Sequence, residues 1–285
     1  MTYEQYIGAI DEESVLAECG PMRLVIRAWN QGQPQIALAR QAADEAFGCL
    51  ERIATCRPLL SRPWPQIADL PEDQLARRMI SSVKTIGDDD LTPMAAVAGT
   101  IADAVADWLF ERDPTKIIVD NGGDIAVRLA PGESAVVGIR PKINSLDISH
   151  VINLDDRRSS WGVTTSGIGG RSFTRGIASA VTVIAGNASI ADAAATAIAN
   201  ACFVEDSHIA QVPAEQIDPN TDLKGVKVTV KVGMLSHGKR VQAVQAASTK
   251  ASGLCRKQLI IGALIVLEDV FLMTKGMEKF ISPSN

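Results

Sequence analysis

The chain has 285 residues, 46% hydrophobic and 21% charged, which is ordinary globular usage and argues against intrinsic disorder. Its 28 Lys and Arg against 33 Asp and Glu give a formal net charge of -5, so no basic footprint points to nucleic acid or an anionic membrane. Aromatic residues make up only 4%, too few for base-stacking platforms.

In chain order, Met22 to Ala28 reads as a strand, and Trp29 to Pro34 supplies turn chemistry. From Gln35 to Cys56, Ile36, Ala39, Ala43, Ala46, Phe47, Leu50 and Ile53 recur at helical spacing. Residues 57 to 71 hold Pro58, Pro63, Pro65 and Pro71 and read as a stiff, extended connection. A second helix is expected over Glu72 to Thr85. Thr92 as N-cap and Pro93 as first helical residue open a third, running through Ala95 to Leu109 and rich in small side chains. Strands are expected at Lys116–Val119, Ile125–Leu129, Ser134–Ile139, Leu146–Leu154, Trp161–Thr165 and Ile177–Ala185. An Ala-rich helix from Asn187 to Ala201 is followed by a loop over Glu205 to Asp222. A strand at Val226–Val232, a helix at Gln242–Cys255 and final strands from Leu259 to about Thr274 complete the pattern. Ile101-Ala-Asp-Ala-Val-Ala-Asp107 echoes Ile190-Ala-Asp-Ala-Ala-Ala-Thr196. That is either coincidence between two Ala-rich helices or the trace of two internally related halves. With no low-complexity linker, residues 1–285 read as one domain. Its strand-turn-strand passages predict an α+β fold of mainly antiparallel sheets packed with Ala-rich helices.

The first residues lack the basic start and apolar stretch of a signal peptide. The longest apolar run, Leu259 to Leu267, is far short of the ~20 residues of a membrane span. Cys19, Cys49, Cys56, Cys202 and Cys255 are scattered without a Cys-x-x-Cys pair, and His150, His208 and His237 lie far apart. This argues against a disulfide framework or a His/Cys metal site and for a reducing, cytoplasmic compartment.

Walker A, Gly-x-Gly-x-x-Gly and Gly-x-Ser-x-Gly motifs are all missing. Three other constellations carry chemistry, each with a plainer alternative. Asn121-Gly122-Gly123-Asp124 between two strands leaves backbone N–H groups uncovered for a phosphate or ring edge, with Asp124 beside them; a hairpin turn needs the same residues for shape. Thr164-Thr165-Ser166-Gly167, followed by Gly169, Gly170, Arg171 and Arg175, suits a diphosphate, or is simply a polar loop. Asp192 and Thr196 are four residues apart on one helix face. They offer oxygen ligands to a hard cation such as Mg2+, or serve the helix dipole and backbone. The run Asp88-Asp89-Asp90 either collects a cation or is a solvated acidic start to a helix.

Together these segments resemble the ApbE family of FAD-dependent FMN transferases. Val119 to Asp124 matches that family's Gly-Gly-Asp turn, Thr165-Ser166-Gly167 its Thr-Ser-Gly segment, and Ala191-Asp192-Ala-Ala-Ala-Thr196-Ala197 its hallmark helix. The resemblance spans roughly residues 22 to 270. It implies Mg2+ at Asp192 and Thr196, and FAD or a related nucleotide against Gly122, Gly123, Asp124, Ser166 and Gly167. In a catalytic reading Asp124 is the candidate for a polar or acid/base role, with Mg2+, Gly-loop N–H groups and Arg171 or Arg175 on phosphate. Where the transferases carry His-x-x-Asp-Pro, this chain reads Arg171-Ser-Phe-Thr-Arg-Gly176. Thr92-Pro-Met-Ala-Ala-Val-Ala-Gly99 and Thr165-Ser-Gly-Ile-Gly-Gly170 are similar to a cytoplasmic ApbE-like family of methanogens and sulfate reducers, associated with sulfide assimilation into homocysteine. The expectation is a cytoplasmic nucleotide- and Mg2+-binding protein of that kind, with sulfur-transfer proteins as partners and no nucleic acid or membrane. Its alternatives are a true FMN transferase and a non-enzymatic accessory subunit. A homodimer is the commonest closed assembly for such a chain.

Overall fold

Period-two burial builds the sheet. In the strand Met22–Asn30, the residues Met22, Leu24, Ile26 and Ala28 are buried, whereas Arg23, Val25 and Arg27 alternate to the opposite face. A computed structural model of the chain describes residues 3–139 and 150–284. Strands β1 (Gln5–Ala9), β2 (Val15–Cys19), β3 (Met22–Asn30) and the two-residue β4 (Gln33–Pro34) lead into helices α1 (Ile36–Leu60), α2 (Gln74–Ile86) and α3 (Val97–Phe110). Strands β5 (Lys116–Asp120), β6 (Asp124–Leu129), β7 (Ser134–Ile139), β8 (His150–Asp155), β9 (Ser160–Ser166) and β10 (Ala180–Ala185) follow, and then α4 (Ala188–Ala201). The last part comprises β11 (Ile209–Pro213), β12 (Lys227–Val232), α5 (His237–Arg256), β13 (Gly262–Leu267), β14 (Val270–Met273) and β15 (Ile281–Pro283).

The main sheet has ten strands in the order β1-β2-β3-β5-β6-β9-β10-β13-β14, with β4 on β3. Every pairing in it is antiparallel. The set β2-β3-β5-β6 and the set β9-β10-β13-β14 share one connectivity: a hairpin, helices, then a second hairpin. On one face, Leu24, Ile26, Ile117 and Val119 pack under α1, α2 and α3, and Val181, Val183, Ala263 and Ile265 under α4 and α5. The centre of the other face is covered by a small sheet, β15-β8-β7, whose Val137, Ile139, Ile152 and Leu154 meet Val127, Trp161, Val163 and Ile184. The expected α+β fold of antiparallel sheets and Ala-rich helices is the observed one.

The echoed helices α3 and α4 hold different places in the two sets, and they cross in direct contact. Gly99 makes the crossing possible, since a Cβ there would lie 2.3 Å from the Ala188 carbonyl oxygen. The echoed aspartates lock it. Asp103 of α3 is wholly buried and accepts the Ala188 and Ser189 N–H groups at 3.0 and 2.8 Å, in the first turn of α4. Asp192 of α4 accepts the Gly99 N–H at 2.9 Å, in the first turn of α3. Each carboxylate thus satisfies N–H groups that a helix start leaves open and meets the positive end of the partner's dipole. Buried Arg128 of β6 completes the lock, reaching Asp103 at 3.0 Å and Asp107 at 2.8 Å.

Several elements differ from expectation for local reasons. Helix α1 continues through Pro58 to Leu60, because a proline in the last turn removes one hydrogen bond of a long helix rather than breaking its middle. Thr92 caps no N–H group; its hydroxyl bonds Asp222, and Pro93–Ala96 forms a 3-10 turn before α3. The acidic run is paired, not free: Asp88 bonds Lys250 and Asp90 bonds Arg175. The expected loop over Glu205 to Asp222 contains β11, which pairs with β12, and α5 starts at His237 behind the cap Ser236. The edge strands β1 and β15 carry too little apolar alternation to stand out, and the short inner strand β2 is a further strand that the sequence reading did not expect. Of the expected strand Leu146–Leu154, residues 146 to 149 lie outside the described residues. Pro93–Phe110 is 18 residues long with a mean hydropathy of 1.2, enough to cross a membrane by length and composition, but 56% of it is buried between α1, α4 and the sheet. All five cysteines are unpaired.

Asp103→Ala would leave buried Arg128 paired with Asp107 alone and the Ala188 and Ser189 N–H groups without an acceptor. The expected loss is roughly 3–5 kcal/mol in urea denaturation, and a loss within the range of ordinary surface substitutions would contradict the lock.

Candidate functional site

The hairpin between β5 and β6 is built from its own residues. Asp120 Oδ1 accepts the Gly123 N–H at 2.7 Å, and Asn121 N–H donates to the Asp124 carbonyl at 3.1 Å. Gly122 and Gly123 sit at φ of 68° and 105°, the left-handed region that side chains resist. The shape reading of this turn is therefore correct: the Gly123 N–H, expected to be uncovered, is taken by Asp120, and the turn lines a cavity of about 740 Å³. That volume falls within the roughly 300–1,000 Å³ of small-molecule sites.

One wall is the open face of the sheet, with Ile118, Ile125, Val163 and the hydroxyl pair Thr165 and Thr182, 2.9 Å apart. The helix wall brings Val97, Ala98 and Ile101 of α3 together with Asp192 and Thr196 of α4. The strand β7 contributes Val136 to Gly138. Arg171 straps the mouth: Nη1 donates to the Pro21 carbonyl and Nη2 to the Asn121 carbonyl, both at 2.8 Å. A Cβ on Gly122 would lie 2.0 Å from that Nη2, so the absence of a side chain makes room for the strap.

Of the residues singled out from sequence, Gly122, Gly123, Asp124, Thr165, Ser166, Gly167, Gly170, Arg171, Asp192 and Thr196 meet on this one cavity. Gly169 and Arg175 do not line it. Gly169 sits at φ 89° in the loop off the lining, and the Arg175 guanidinium is drawn off to Asp90 of the acidic run. Sequence reasoning missed Thr182, Asp120 and Arg27 on the lining. Thr182 stands opposite Thr165 in the β9–β10 register, and Arg27 is a charge inside an alternating strand; both signals need the strand order to be read.

The helix wall is acidic and desolvated. Burial pushes the Asp192 carboxyl up to about 7; the Gly99 and Ala98 N–H groups pull it back, and the Asp103 charge adds to the rise. Asp124 faces the cavity yet is surrounded by protein. Burial lifts it well above the usual carboxylate range, the charges of Asp192 and Asp120 lift it further, and Arg171 opposes them. Beside it in the register is Thr164, whose buried hydroxyl has no hydrogen-bond partner. The wall is suited to a cation or to a proton held on a carboxyl. Among the described residues no three His, Cys, Asp or Glu side chains converge as a ready-made metal cage. The donor set of Asp192 and Thr196 therefore fits a cation that keeps waters and ligand oxygens in its shell, as Mg2+ does.

The fold and cavity define an antiparallel α+β protein with a nucleotide-sized, partly acidic pocket at the hairpin ends. A family model described as AbpE bacteria matches residues 9–277, and the chain belongs to that family, within the ApbE-like proteins. A UPF0280 protein of Methanosarcina barkeri is 36% identical over 167 residues, 56% of this chain and 63% of the relative. A UPF0280 protein of Methanopyrus kandleri is 40% identical over 137 residues, 48% of this chain and 53% of the relative. The chain thus spans less than two thirds of the length of these curated relatives. The crystal structure of the Pseudomonas stutzeri flavinyl transferase ApbE in its apo form superposes with a TM-score of 0.54 at 12% identity, covering 98% of both chains, which shows a shared fold.

Gly122→Ala adds a side chain at positive φ and pushes on the Arg171 strap. It should cost about 1–2 kcal/mol of stability, and the cost should fall by at least about 0.5 kcal/mol in an Arg171→Ala background. Strictly additive melting data for the two substitutions would mean that Arg171 does not press on the turn.

Proposed function

We propose that the cavity binds a flavin nucleotide, FAD or a close relative, together with Mg2+. The observation that carries this is convergence. The Gly122–Gly123 turn, the Thr165-Ser166-Gly167 strand end and the Asp192–Thr196 helix face are far apart in sequence, yet they line one cavity in an ApbE-like fold. In this reading the aliphatic sheet wall takes the ring system, and the Gly122 N–H and Arg171 take phosphate oxygens. Asp192 and Thr196 would hold Mg2+, which when bound neutralises phosphate charge. Asp124 is the acid/base candidate, because burial and the Asp192 and Asp120 charges raise its pKa and favour a proton on the carboxyl.

Two finer readings belong to the same proposal. FMN transfer to a protein is set back by Arg171 to Gly176, which offers no His, Asp or Pro where the transferases carry them. A cytoplasmic role in sulfide assimilation rests on the resemblance alone. No cysteine stands on the described cavity wall, so in that role sulfur arrives on a substrate or a partner protein rather than on this chain.

Titration of the purified protein with FAD, with and without Mg2+, tests the reading. Wild type should bind at least about tenfold more tightly with Mg2+, a difference of roughly 1.4 kcal/mol. Asp192→Asn keeps an oxygen for the Gly99 N–H and should stay folded while losing the Mg2+ effect. Asp192→Ala should lose both the effect and some stability. Mg2+-independent binding, or an unchanged Asp192→Asn, removes the metal role.

A further inference from the structure

The cavity carries a second cation that its fold has not neutralised. Arg27 of β3 lies on the cavity wall and is half-buried. Its Nε donates to the Oγ of buried Ser14 at 2.7 Å, which orients the guanidinium and leaves both Nη groups without a partner among the described residues. The other buried or half-buried arginines among the described residues are all paired with carboxylates: Arg128 with Asp103 and Asp107, Arg175 with Asp90, and Arg240 with Glu268 and Asp269. Among the described residues no carboxylate lies within ion-pair distance of Arg27; exposed Asp11 feels its charge only at longer range. A partly desolvated guanidinium without a counter-charge is costly, and its planar fork matches the oxygens of a phosphate.

We infer that Arg27 is an anion-recognition residue of the cavity, presenting its two Nη groups to phosphoryl oxygens of a ligand on the open-sheet wall. Its place in the strand supports this. Arg27 stands beside Ile118 of β5 and diagonal to Asp120, on the face opposite the buried Leu24 and Ile26. Asp192 belongs to the helix wall and Arg27 to the sheet wall, where Asp120 of β5 also lines the cavity, so a phosphoryl group at Arg27 and a cation at Asp192 would sit on different walls. The phosphoryl group belongs either to the nucleotide itself or to a separate phosphorylated substrate. The inference concerns the same cavity as the proposed function but does not require the ligand to be a flavin.

The test is a calorimetric titration of wild type, Arg27→Gln, Arg27→Lys and Ser14→Ala with inorganic pyrophosphate, FAD and riboflavin. Pyrophosphate should bind wild type and lose at least tenfold in Arg27→Gln, with Arg27→Lys between them and riboflavin unaffected. Ser14→Ala keeps the charge but frees its tether, and should weaken pyrophosphate a few-fold even if Arg27→Gln proves unstable. Mutually exclusive binding of pyrophosphate and FAD assigns the phosphoryl group to the nucleotide; simultaneous binding assigns it to a second substrate. If FAD and riboflavin fail to bind while pyrophosphate remains dependent on Arg27, the flavin reading falls and the anion site stands. Wild type that ignores pyrophosphate, or a folded Arg27→Gln that binds it within twofold of wild type, overturns the inference.

Discussion

Two buried carboxylates hold the centre of this molecule, each accepting N–H groups from the first turn of the other's helix. Asp103 meets the start of α4 and Asp192 the start of α3, with Gly99 letting the backbones touch. Burying a carboxylate is expensive unless hydrogen bonds and charge replace water. At Asp103 the replacement is complete, because Arg128 and three donors from Ala188 and Ser189 surround it. At Asp192 it is partial: two N–H groups serve the carboxylate, no Arg or Lys among the described residues pairs with it, and its pKa rises to about 7. The same bond pattern thus yields one structural carboxylate and one that faces a cavity with charge still to be satisfied.

From that crossing the rest of the site follows. Helix α4 packs against β9 and β10, so Asp192 and Thr196 reach the ends of the strands where the Gly122–Gly123 turn and the Thr165–Gly167 segment emerge. The turn is shaped by its own Asp120 and Asn121 bonds, and Arg171 ties it to the neighbouring hairpin at Pro21. The small sheet covers the centre of the opposite face and adds Val136 to Gly138 to the cavity rim. The cavity lining mixes carboxylates, Asp192 of α4 with Asp120 and Asp124 of the strands, and the arginines Arg27 and Arg171, a mixture suited to an anionic ligand that arrives with a divalent cation.

Much of this was legible in the chain before its fold was known. Helical spacing located α1, α2 and α4, and the apolar runs located β3, β10 and β13, because those elements bury one face or both. The Asp124, Ser166 and Asp192 neighbourhoods stood out for their chemistry and do converge. What escaped reading depends on long-range pairing. Arg175 looked like a phosphate ligand until Asp90, 85 residues away, claimed it, and Thr92 looked like a cap until Asp222 did. Arg27 and Thr182 become site residues only once β3 lies beside β5 and β10 beside β9. Asp103 and Asp192 sat in an echo that suggested duplication. Their reciprocal bonds give that echo a direct physical meaning, since each helix needs an acid at that position to cap the other.

A crystal structure of the protein grown with FAD and MgCl2 would test the central claim most directly. The account predicts nucleotide density in the cavity beside the Gly122–Gly123 turn, with a cation bonded to Asp192 and Thr196 and completed by phosphate and water oxygens. Nucleotide bound elsewhere, or bound in the cavity with no cation at Asp192, would contradict it.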